Sequence, residues 1–259
     1  MEKIVHVVPV GFEIDRIVKP FEDENGFKAN KVYLLSAIEE NETPPSFVKE
    51  HRKYVDVVSK RLAQLDIRVE VINTNLIDLL EIIRKISNII YKEQKDGNIV
   101  YVNISGAGRL TSVGVTLAGM VHGARVYYVE ADEYSDTKEE MDKHGYSICH
   151  ELRIRFLKNF RIQLPNTTQL LVLVELCKKE KMRTYDIINF LAKARIGGFP
   201  LNFFSLSRNE KTAIIMKLNR KVMENLEKLQ YIVKEKIGRE NEYHSTESGL
   251  YVASISGLL

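Results

Sequence analysis

The sequence predicts an α/β protein in which a domain with a parallel sheet precedes a smaller, mostly helical domain. Three observations support this division. Short β-branched runs alternate with helical stretches up to about residue 130. Pro165 and the N-cap signal that follows it then mark a boundary. From residue 168 to residue 259 there are 15 lysines and arginines against 10 aspartates and glutamates, whereas the preceding residues carry a slight acidic excess.

Five segments of the first part are strand candidates because they are nearly continuous apolar runs, as expected for strands buried on both faces of a parallel sheet. They cover residues 4–10, 31–35, 68–72, 98–104 and 125–129. Helical patterns lie between them over residues 14–21, 46–65, 76–91 and 110–122. Paired prolines predict a loop over residues 41–45. Strand and helix repeated in this order are typical of a Rossmann-like, doubly wound fold.

The second part is predicted to contain three helices and a hairpin. The helices cover residues 169–179, 185–192 and 207 to about 229, and two extended pieces, 231–236 and 242–245, flank a turn over 238–241. This order is that of a winged helix-turn-helix domain. We therefore expect a ligand-sensing domain over residues 1–150, a linker over 151–167 and a DNA-binding domain over 168–259.

Composition excludes several classes. With 44% hydrophobic and 28% charged residues, the chain of 259 residues is that of an ordinary globular protein. No apolar run approaches the ~18 residues that span a bilayer, and no signal-peptide cleavage site follows the first strand, so we expect a cytoplasmic protein without a membrane partner. Cys149 and Cys177 are too few for a disulfide framework or a thiolate metal site. We expect neither a metal ion nor a cofactor.

Two glycine-containing segments follow the first and the fourth predicted strand. The first is Val10-Gly11-Phe12 and the second is Ser105-Gly106-Ala107-Gly108-Arg109. In the Rossmann strand order these two strands are neighbours at the point where the order reverses, and ligands bind outside the carboxyl ends of the strands there. The eight residues are therefore candidate ligand-binding residues.

The second loop has the chemistry of a phosphate site. Gly106 and Gly108 permit close approach of backbone N–H groups, and the N-terminus of the following helix favours an anion. Ser105 offers a hydroxyl, and Arg109 offers a forked cation suited to phosphate. The alternative is a tight strand-to-helix turn with an incidental arginine. A dinucleotide fingerprint is not expected because Thr111 occupies its third glycine position, and no Walker A pattern occurs.

The third helix of the second part has two faces. Its apolar positions pack it onto its domain, and polar or basic residues occupy the opposite face. Such a helix suits the major groove of DNA, with a basic wing on the backbone. The alternative is an amphipathic helix with a solvated face. The candidate DNA-binding residues are Asn209, Lys211, Thr212, Lys217 and Arg220 on the helix and Lys236 and Arg239 on the wing.

The chain resembles the CRISPR-associated Rossmann fold (CARF) family in residues 10–12 and in the segment Asn103-Ile104-Ser105-Gly106-Ala107-Gly108-Arg109. Together with its C-terminal domain, this makes the chain similar to archaeal CARF–winged-helix transcriptional regulators. The resemblance implies a homodimer that binds a cyclic oligoadenylate, above all cyclic tetra-adenylate, across two sensing domains. It maps the basic residue of the family's loop onto Arg109. The family's Gly-Gly-Thr-like core is replaced here by Gly106-Ala107-Gly108, so another nucleotide or metabolite is the alternative ligand.

Two enzymatic alternatives accompany this resemblance. Arg239 and His244 form an R-x4-H pattern like that of the HEPN ribonucleases that occur fused to CARF domains, but those motifs lie in helical bundles and this one follows a predicted turn. Slow cleavage of the ligand by the sensing domain is the second alternative. No general base is evident beside Ser105 and Arg109, so we assign no catalytic residue.

Overall fold

The computed structural model describes residues 2–38, 44–160, 162–238 and 240–259. It divides into two compact units, Met1–Ile162 and Gln163–Leu259. Residues 41–43 of the loop predicted over 41–45, and the candidate wing residue Arg239, lie outside the described residues.

The first unit alternates strands and helices as far as its fifth strand. In chain order its elements are β1 (Ile4–Pro9), α1 (Asp15–Glu22), β2 (Lys31–Ala37), α2 (Pro45–Ala63), β3 (Arg68–Thr74), α3 (Leu79–Lys95), β4 (Ile99–Asn103), α4 (Arg109–Val121), β5 (Arg125–Val129), β6 (Glu133–Tyr134), α5 (Lys138–His144), β7 (Ser147–Ile148) and β8 (Ile154–Phe156).

Six of these strands form one sheet in the order β3-β2-β1-β4-β5-β8. The first five are parallel, and β8 is antiparallel to β5. The order reverses between β1 and β4, which is the arrangement expected of a Rossmann-like domain. The predicted fold class is confirmed.

Both faces of the sheet are covered by helices, which explains why the strands are nearly continuous apolar runs. Val8 of β1 packs with Ile17 of α1 and Val58 of α2 on one face. The neighbouring Val7 packs with Ile86 of α3 on the other face. Alternate residues of one strand thus enter two separate core clusters.

His6 immediately precedes these valines in β1 and lies within a buried group of aromatic rings. Its ring stacks on Tyr101 with centroids 4.8 Å apart, and Phe21 and Phe27 lie at 4.8 and 5.0 Å. Nδ1 is 3.1 Å from the Tyr127 hydroxyl, and Nε2 has no hydrogen-bond partner among the described residues. Burial lowers the pKa of His6 from 6.5 to about 3, so the ring is neutral and structural.

Residues 133–148, comprising β6, α5 and β7 and here called the strap, pack on the start of α1. His144 Nδ1 lies 2.9 Å from Asp15 Oδ2, and the Tyr146 N–H donates to the Phe12 carbonyl oxygen over 2.8 Å. Glu13 accepts hydrogen bonds from the N–H and hydroxyl groups of Ser147 at 3.0 and 2.8 Å. The polar sequence of the strap did not predict this docking.

Part of the segment expected as the linker over 151–167 belongs to the sheet. β8 pairs with β5, and the Leu157 N–H donates to the Val126 carbonyl oxygen over 2.9 Å. Arg155 on β8 also pairs with Glu130, just after β5. A three-residue edge strand of mixed polarity has no distinctive sequence pattern, which is why this segment was predicted as a linker.

The second unit has the winged-helix order with two additional elements. Its elements are α6 (Thr167–Lys179), β9 (Lys181–Arg183), α7 (Thr184–Lys193), a 3-10 turn (Phe203–Ser205), α8 (Arg208–Leu218), a π turn (Asn219–Met223), α9 (Glu224–Lys228), β10 (Ile232–Ile237), β11 (Glu240–Ser245) and α10 (Glu247–Ile255). The strands form an antiparallel sheet in the order β10-β11-β9. The sequence did not predict β9 or α10.

The third helix of this unit is continuous from α8 through the π turn to α9, and the π turn changes which residues face the core. Leu218, Val222 and Leu226 are fully buried as their spacing predicts, and Met223 is fully buried beside Val222. A π turn adds one residue to the helix, so two consecutive residues can reach the core. Leu229, predicted on the same face, is 41% exposed because it follows the last residue of α9.

Candidate functional site

The loops after β1 and β4 meet at the edge of the sheet where the strand order reverses. A Cβ atom added to Gly11 would lie 2.2 Å from the carbonyl oxygen of Gly106, and one added to Gly106 would lie 2.9 Å from that of Pro9. These distances are shorter than any van der Waals contact, so only glycine fits either position. The two backbones therefore come together through their glycines.

A crevice of about 370 Å³ opens over this contact. Seven of the eight candidate ligand-binding residues lie on its surface. Residues from the start of α1, from α2 and α4, from the end of β2, from the loop after β3 and from the strap complete it. Its lining residues are Val10, Gly11, Phe12, Glu13, Arg16, Ala37, Phe47, His51, Leu76, Ile77, Ser105, Gly106, Ala107, Gly108, Thr111 and Tyr146.

Arg109 is the eighth candidate, and it is not among the lining residues. It is the first residue of α4 and is exposed to solvent. Ser105, in contrast, is buried, and its hydroxyl accepts a hydrogen bond of 2.6 Å from the Val129 N–H. Ser105 thus holds the loop after β4 against the end of β5, which is a structural role that its sequence position did not indicate.

Aromatic rings form one wall of the crevice. Phe12 packs with Phe47, Tyr54 and Tyr146 at centroid distances of 5.2, 5.2 and 5.5 Å. Phe47 and Tyr146 are 38% and 44% exposed, which leaves ring surface open to a ligand. Exposed aromatic faces can stack on nucleic-acid bases. This wall was not predicted, because Phe47 and Tyr146 lie far from Phe12 in sequence.

Glu13 and Arg16 form the polar floor of the crevice, and neither was predicted from the sequence. Arg16 is 8% exposed, and its Nε–H donates to the Val129 carbonyl oxygen over 3.0 Å. Its guanidinium also bonds the Tyr128 hydroxyl, lies 4.7 Å from that ring's centroid, and is 3.4 Å from Glu13 Oε1. Burial raises the pKa of Glu13, against the lowering effects of Ser147 and Arg16.

His51 braces the crevice from α2. Its Nε2 lies 2.5 Å from the Val10 carbonyl oxygen. Burial lowers the pKa of His51, which favours the neutral ring. A neutral imidazole that hydrogen-bonds to a carbonyl oxygen in this way orders the loop after β1. The ring belongs to the support of the crevice and carries no charge to a ligand at neutral pH.

In the second unit, the candidate DNA-binding residues fall into two groups. Asn209, Thr212 and Arg220 are exposed on the third helix, and Lys236 is exposed on β10. Lys211 is half-buried in the first turns of α8. Together these residues present polar and basic groups along one helix and on the wing. Exposed apolar side chains lie in the same region: Leu201, Phe204 and Met216.

Lys217 is engaged within its own unit. Its amine donates to the carbonyl oxygens of Gly197 and Gly198 at 3.3 and 3.1 Å, and it lies 5.3 Å from the centroid of the Phe199 ring. Lys217 therefore holds the loop between α7 and α8, a role the one-dimensional helix pattern could not indicate. Contact of Lys217 with DNA stays a prediction.

His244, the second residue of the R-x4-H pattern, lies in β11. This strand pairs with β10 on one side and β9 on the other, and His244 Nε2 is 3.5 Å from Glu242 Oε1. The setting is the wing of a winged helix and not the helical bundle that the ribonuclease interpretation requires.

Neither a metal site nor a membrane span is found in the part of the chain that the structure describes. No group of three or more His, Cys, Asp or Glu side chains there could hold a metal ion. No helix of the same residues is both long and apolar enough to cross a membrane.

The fold and these surfaces define a class of protein, in which an α/β domain with a crevice at the switch point of its sheet precedes a winged-helix domain. Residues 4–134, half of the chain, match the family model described as HFX_2341_N:-like, N-terminal. Residues 168–257 match the DUF6293 C-terminal winged helix domain. The chain belongs to the family of the N-terminal model, and the second match confirms the predicted C-terminal winged helix.

A relative in Methanocaldococcus jannaschii, the uncharacterized protein MJ1513, is 29% identical over 153 residues, which cover 55% of this chain and 43% of that protein. Can2 from Sulfobacillus thermosulfidooxidans, solved in complex with cyclic tetra-adenylate, aligns over 96% of this chain and 63% of its own, with 10% identity and a TM-score of 0.40.

Enterococcus italicus Csm6, solved with cyclic hexa-2′-fluoro-hexa-dAMP, aligns over 88% of this chain and 56% of its own, with 10% identity and a TM-score of 0.41. The present chain thus spans less than half of its curated relative and less than two thirds of these two structures.

Proposed function

We propose that this protein is a ligand-responsive transcriptional regulator. Its α/β domain binds a cyclic oligoadenylate, above all cyclic tetra-adenylate, and its winged helix binds double-stranded DNA. The observation that carries the proposal is the crevice at the switch point, where seven of the eight residues singled out for ligand binding lie together.

The chemistry of the crevice supports a nucleotide with several phosphates. The glycine loop after β4 leads directly into α4, so free backbone N–H groups at the helix N-terminus face the edge where a ligand binds. The aromatic wall of Phe12, Phe47 and Tyr146 supplies faces for bases. Phosphate and base subsites therefore adjoin one another, as a nucleotide requires.

A symmetric ligand suits a symmetric receptor. A cyclic tetranucleotide can have twofold symmetry, and an isologous homodimer has the same symmetry. In such a dimer, Arg109 on the rim of each protomer would contribute a cation to the shared ligand, which accounts for its position outside the lining of a single crevice. We therefore propose a homodimer with one ligand per two chains.

On the DNA side, the third helix and the wing carry the proposal. Asn209, Thr212 and Arg220 are exposed and suited to base edges, and Lys236 to the backbone. Two winged helices in a dimer would read half-sites roughly 34 Å apart or multiples of that distance. Ligand binding would change the preferred spacing, which requires different ligand affinities in the two states of the dimer.

The experiment that tests the sensor is calorimetric titration of the full chain with cyclic tetra-adenylate, beside the Arg109→Ala variant. We expect one ligand per dimer, and binding weakened at least tenfold in the variant with an unchanged melting temperature, because charge-assisted hydrogen bonds of an exposed arginine contribute more to binding than to folding. Lys95→Ala is the matched control, since it removes an equally exposed cation at the opposite edge of the sheet.

Two outcomes would contradict the proposal. If neither cyclic tetra-adenylate nor another cyclic oligoadenylate binds, the proposed ligand is wrong. If Arg109→Ala lowers the melting temperature of the free protein as much as it weakens binding, Arg109 has a structural role and the rim contact is wrong.

A further inference from the structure

Among the described residues that line the crevice, Glu13 carries the one carboxylate and Arg16 the one guanidinium. They lie together at its floor, with 3.4 Å between Arg16 Nη1 and Glu13 Oε1. A carboxylate in a crevice proposed to bind a polyanion needs an explanation, because like charges repel strongly at a buried site. The partner of that carboxylate, in contrast, is the side chain best suited to bind phosphate.

Arg16 is held rigidly but its hydrogen-bonding capacity is not exhausted. Its Nε–H is used by the Val129 carbonyl oxygen and its Nη2 by the Tyr128 hydroxyl. With the contact to Glu13, three of its five N–H donors are used by described residues, and two have no partner among them. Because the Tyr128 ring supports the guanidinium plane at 4.7 Å, the unused donors are oriented before any ligand arrives. Such orientation reduces the entropy lost on binding.

The contact between Glu13 and Arg16 is the longest of those that hold the guanidinium. Glu13 has two shorter contacts of its own, from the N–H and hydroxyl groups of Ser147 at 3.0 and 2.8 Å. Glu13 therefore keeps its place when its contact with Arg16 is lost, because the strap still holds it. Arg16 keeps its place as well, through Val129 and Tyr128.

We propose that Arg16 is the cation that binds a ligand phosphate inside each crevice, and that Glu13 is its counter-ion in the empty state, which the phosphate displaces. The inference rests on the proposed function and adds to it a second cation, distinct from Arg109 on the rim. Burial raises the pKa of Glu13, so its charge is already disfavoured, and an incoming phosphate replaces a weak partner of Arg16 with a stronger one.

The test uses two substitutions with opposite expected signs. Arg16→Gln removes the cation and should weaken cyclic tetra-adenylate binding about tenfold or more, as expected for loss of a charge-assisted hydrogen bond. Glu13→Gln keeps an acceptor for Ser147 but removes the competing charge, so it should tighten binding by about threefold to tenfold. If Glu13 instead accepted a hydrogen bond from a ribose hydroxyl or an adenine amine, Glu13→Gln would weaken binding, and the proposal would be overturned.

Because Arg16→Gln changes a buried side chain and can impair folding, a second measurement uses the unmodified chain. The Nε–H resonance of Arg16, assigned by its absence in Arg16→Lys, is followed by NMR during titration with inorganic pyrophosphate. A saturable shift that is absent for the Lys95 backbone amide supports a phosphate site at Arg16. No shift of the Arg16 resonance overturns it.

The two measurements separate this inference from the proposed function. If pyrophosphate shifts the Arg16 resonance but cyclic tetra-adenylate does not bind, the phosphate site stands and the proposed ligand is wrong. If cyclic tetra-adenylate binds, Glu13→Gln leaves the affinity unchanged and the Arg16 resonance does not move, the sensor stands and the role of Arg16 is wrong. If neither compound binds, both are wrong.

Discussion

The crevice and the third helix of the winged-helix unit differ in how their residues are assembled. The crevice combines the loop after β1 with the loop after β4, about ninety residues later, and with side chains from α1, α2 and the strap. The DNA-binding candidates of the third helix lie instead within twelve consecutive residues, Asn209 to Arg220, whose mutual positions follow from helix geometry.

This difference explains which side chains the sequence could assign. On the helix, exposure follows from position, so Asn209, Thr212 and Arg220 are exposed as expected. In the crevice, the only cation among the described lining residues is Arg16, which nothing in its local sequence distinguishes. A site made of distant segments is also more sensitive to substitutions in the core that holds those segments together.

The largest expected effect is a loss of stability of the α/β domain at acid pH, caused by protonation of His6 in the unfolded chain. The pKa of its buried ring is about 3, against 6.5 for an ordinary histidine. Between these values the unfolded chain binds a proton that the folded chain does not, so the free energy of unfolding falls as the pH falls from 6.5 towards 3. The full loss is about 5 kcal/mol, from ~1.4 kcal/mol per pKa unit.

His6→Phe should remove this part of the pH dependence. Urea unfolding of the α/β domain, followed at several pH values between 6.5 and 4, should give a flatter profile for the variant than for the unmodified protein. His51, whose pKa burial also lowers, contributes in the same direction and remains in both proteins. Parallel profiles for the two proteins would mean that His6 is protonated in the folded state.

The second effect concerns the winged-helix core. Leu218→Ala should lower the free energy of unfolding of that unit by about 2–5 kcal/mol, because it leaves a cavity at a fully buried position. Leu229→Ala is the matched control, since the same atoms are removed from a side chain that is 41% exposed. Differential scanning calorimetry of the full chain should show a lower melting temperature for the winged-helix unit in the Leu218→Ala variant. Equal shifts would contradict the burial of Leu218 and the exposure of Leu229.

A third effect distinguishes two glycines of the crevice. Gly11→Ala should destabilise the α/β domain by about 1–3 kcal/mol and abolish ligand binding, because its Cβ would lie 2.2 Å from the Gly106 carbonyl oxygen. Gly108→Ala should leave the stability nearly unchanged, since no heavy atom lies within 4 Å of its added Cβ and its φ of −61° suits alanine. Thermal unfolding measures both. Equal stability of the two variants would mean that the loops separate readily.

The smallest expected effects are on DNA. Arg220→Ala should weaken binding to a duplex selected from a random pool by about tenfold, with a smaller change for random duplex. Lys236→Ala should weaken binding to both duplexes by the same factor and reduce the slope of log affinity against log salt by about one. Titrations at two salt concentrations measure these changes. Unchanged affinity in both variants would remove the third helix and the wing from the DNA-binding surface.

Much of the α/β fold could be predicted because buried parallel strands have a distinctive sequence. All five parallel strands were predicted within two residues of their observed ends, as in the segment 125–129 that is β5. The strap and β8 were not predicted, because their strands have two or three residues and mixed polarity. In the second unit, α10 was missed although Thr246 caps it. Short apolar segments at the end of a chain are ambiguous between helix and coil.

The sequence by itself determined the order of the five parallel strands and the helices between them, the proximity of the glycine loops and the exposure of Asn209, Thr212 and Arg220, because these follow from local periodicity and from general rules of α/β topology. Only the tertiary structure decided that Arg16 and Glu13 face the crevice, that Lys217 is engaged with the 197–198 loop, and that Arg109 lies outside the lining. The direction of a side chain relative to a distant segment depends on how whole elements pack, and no pattern of neighbouring residues contains that information.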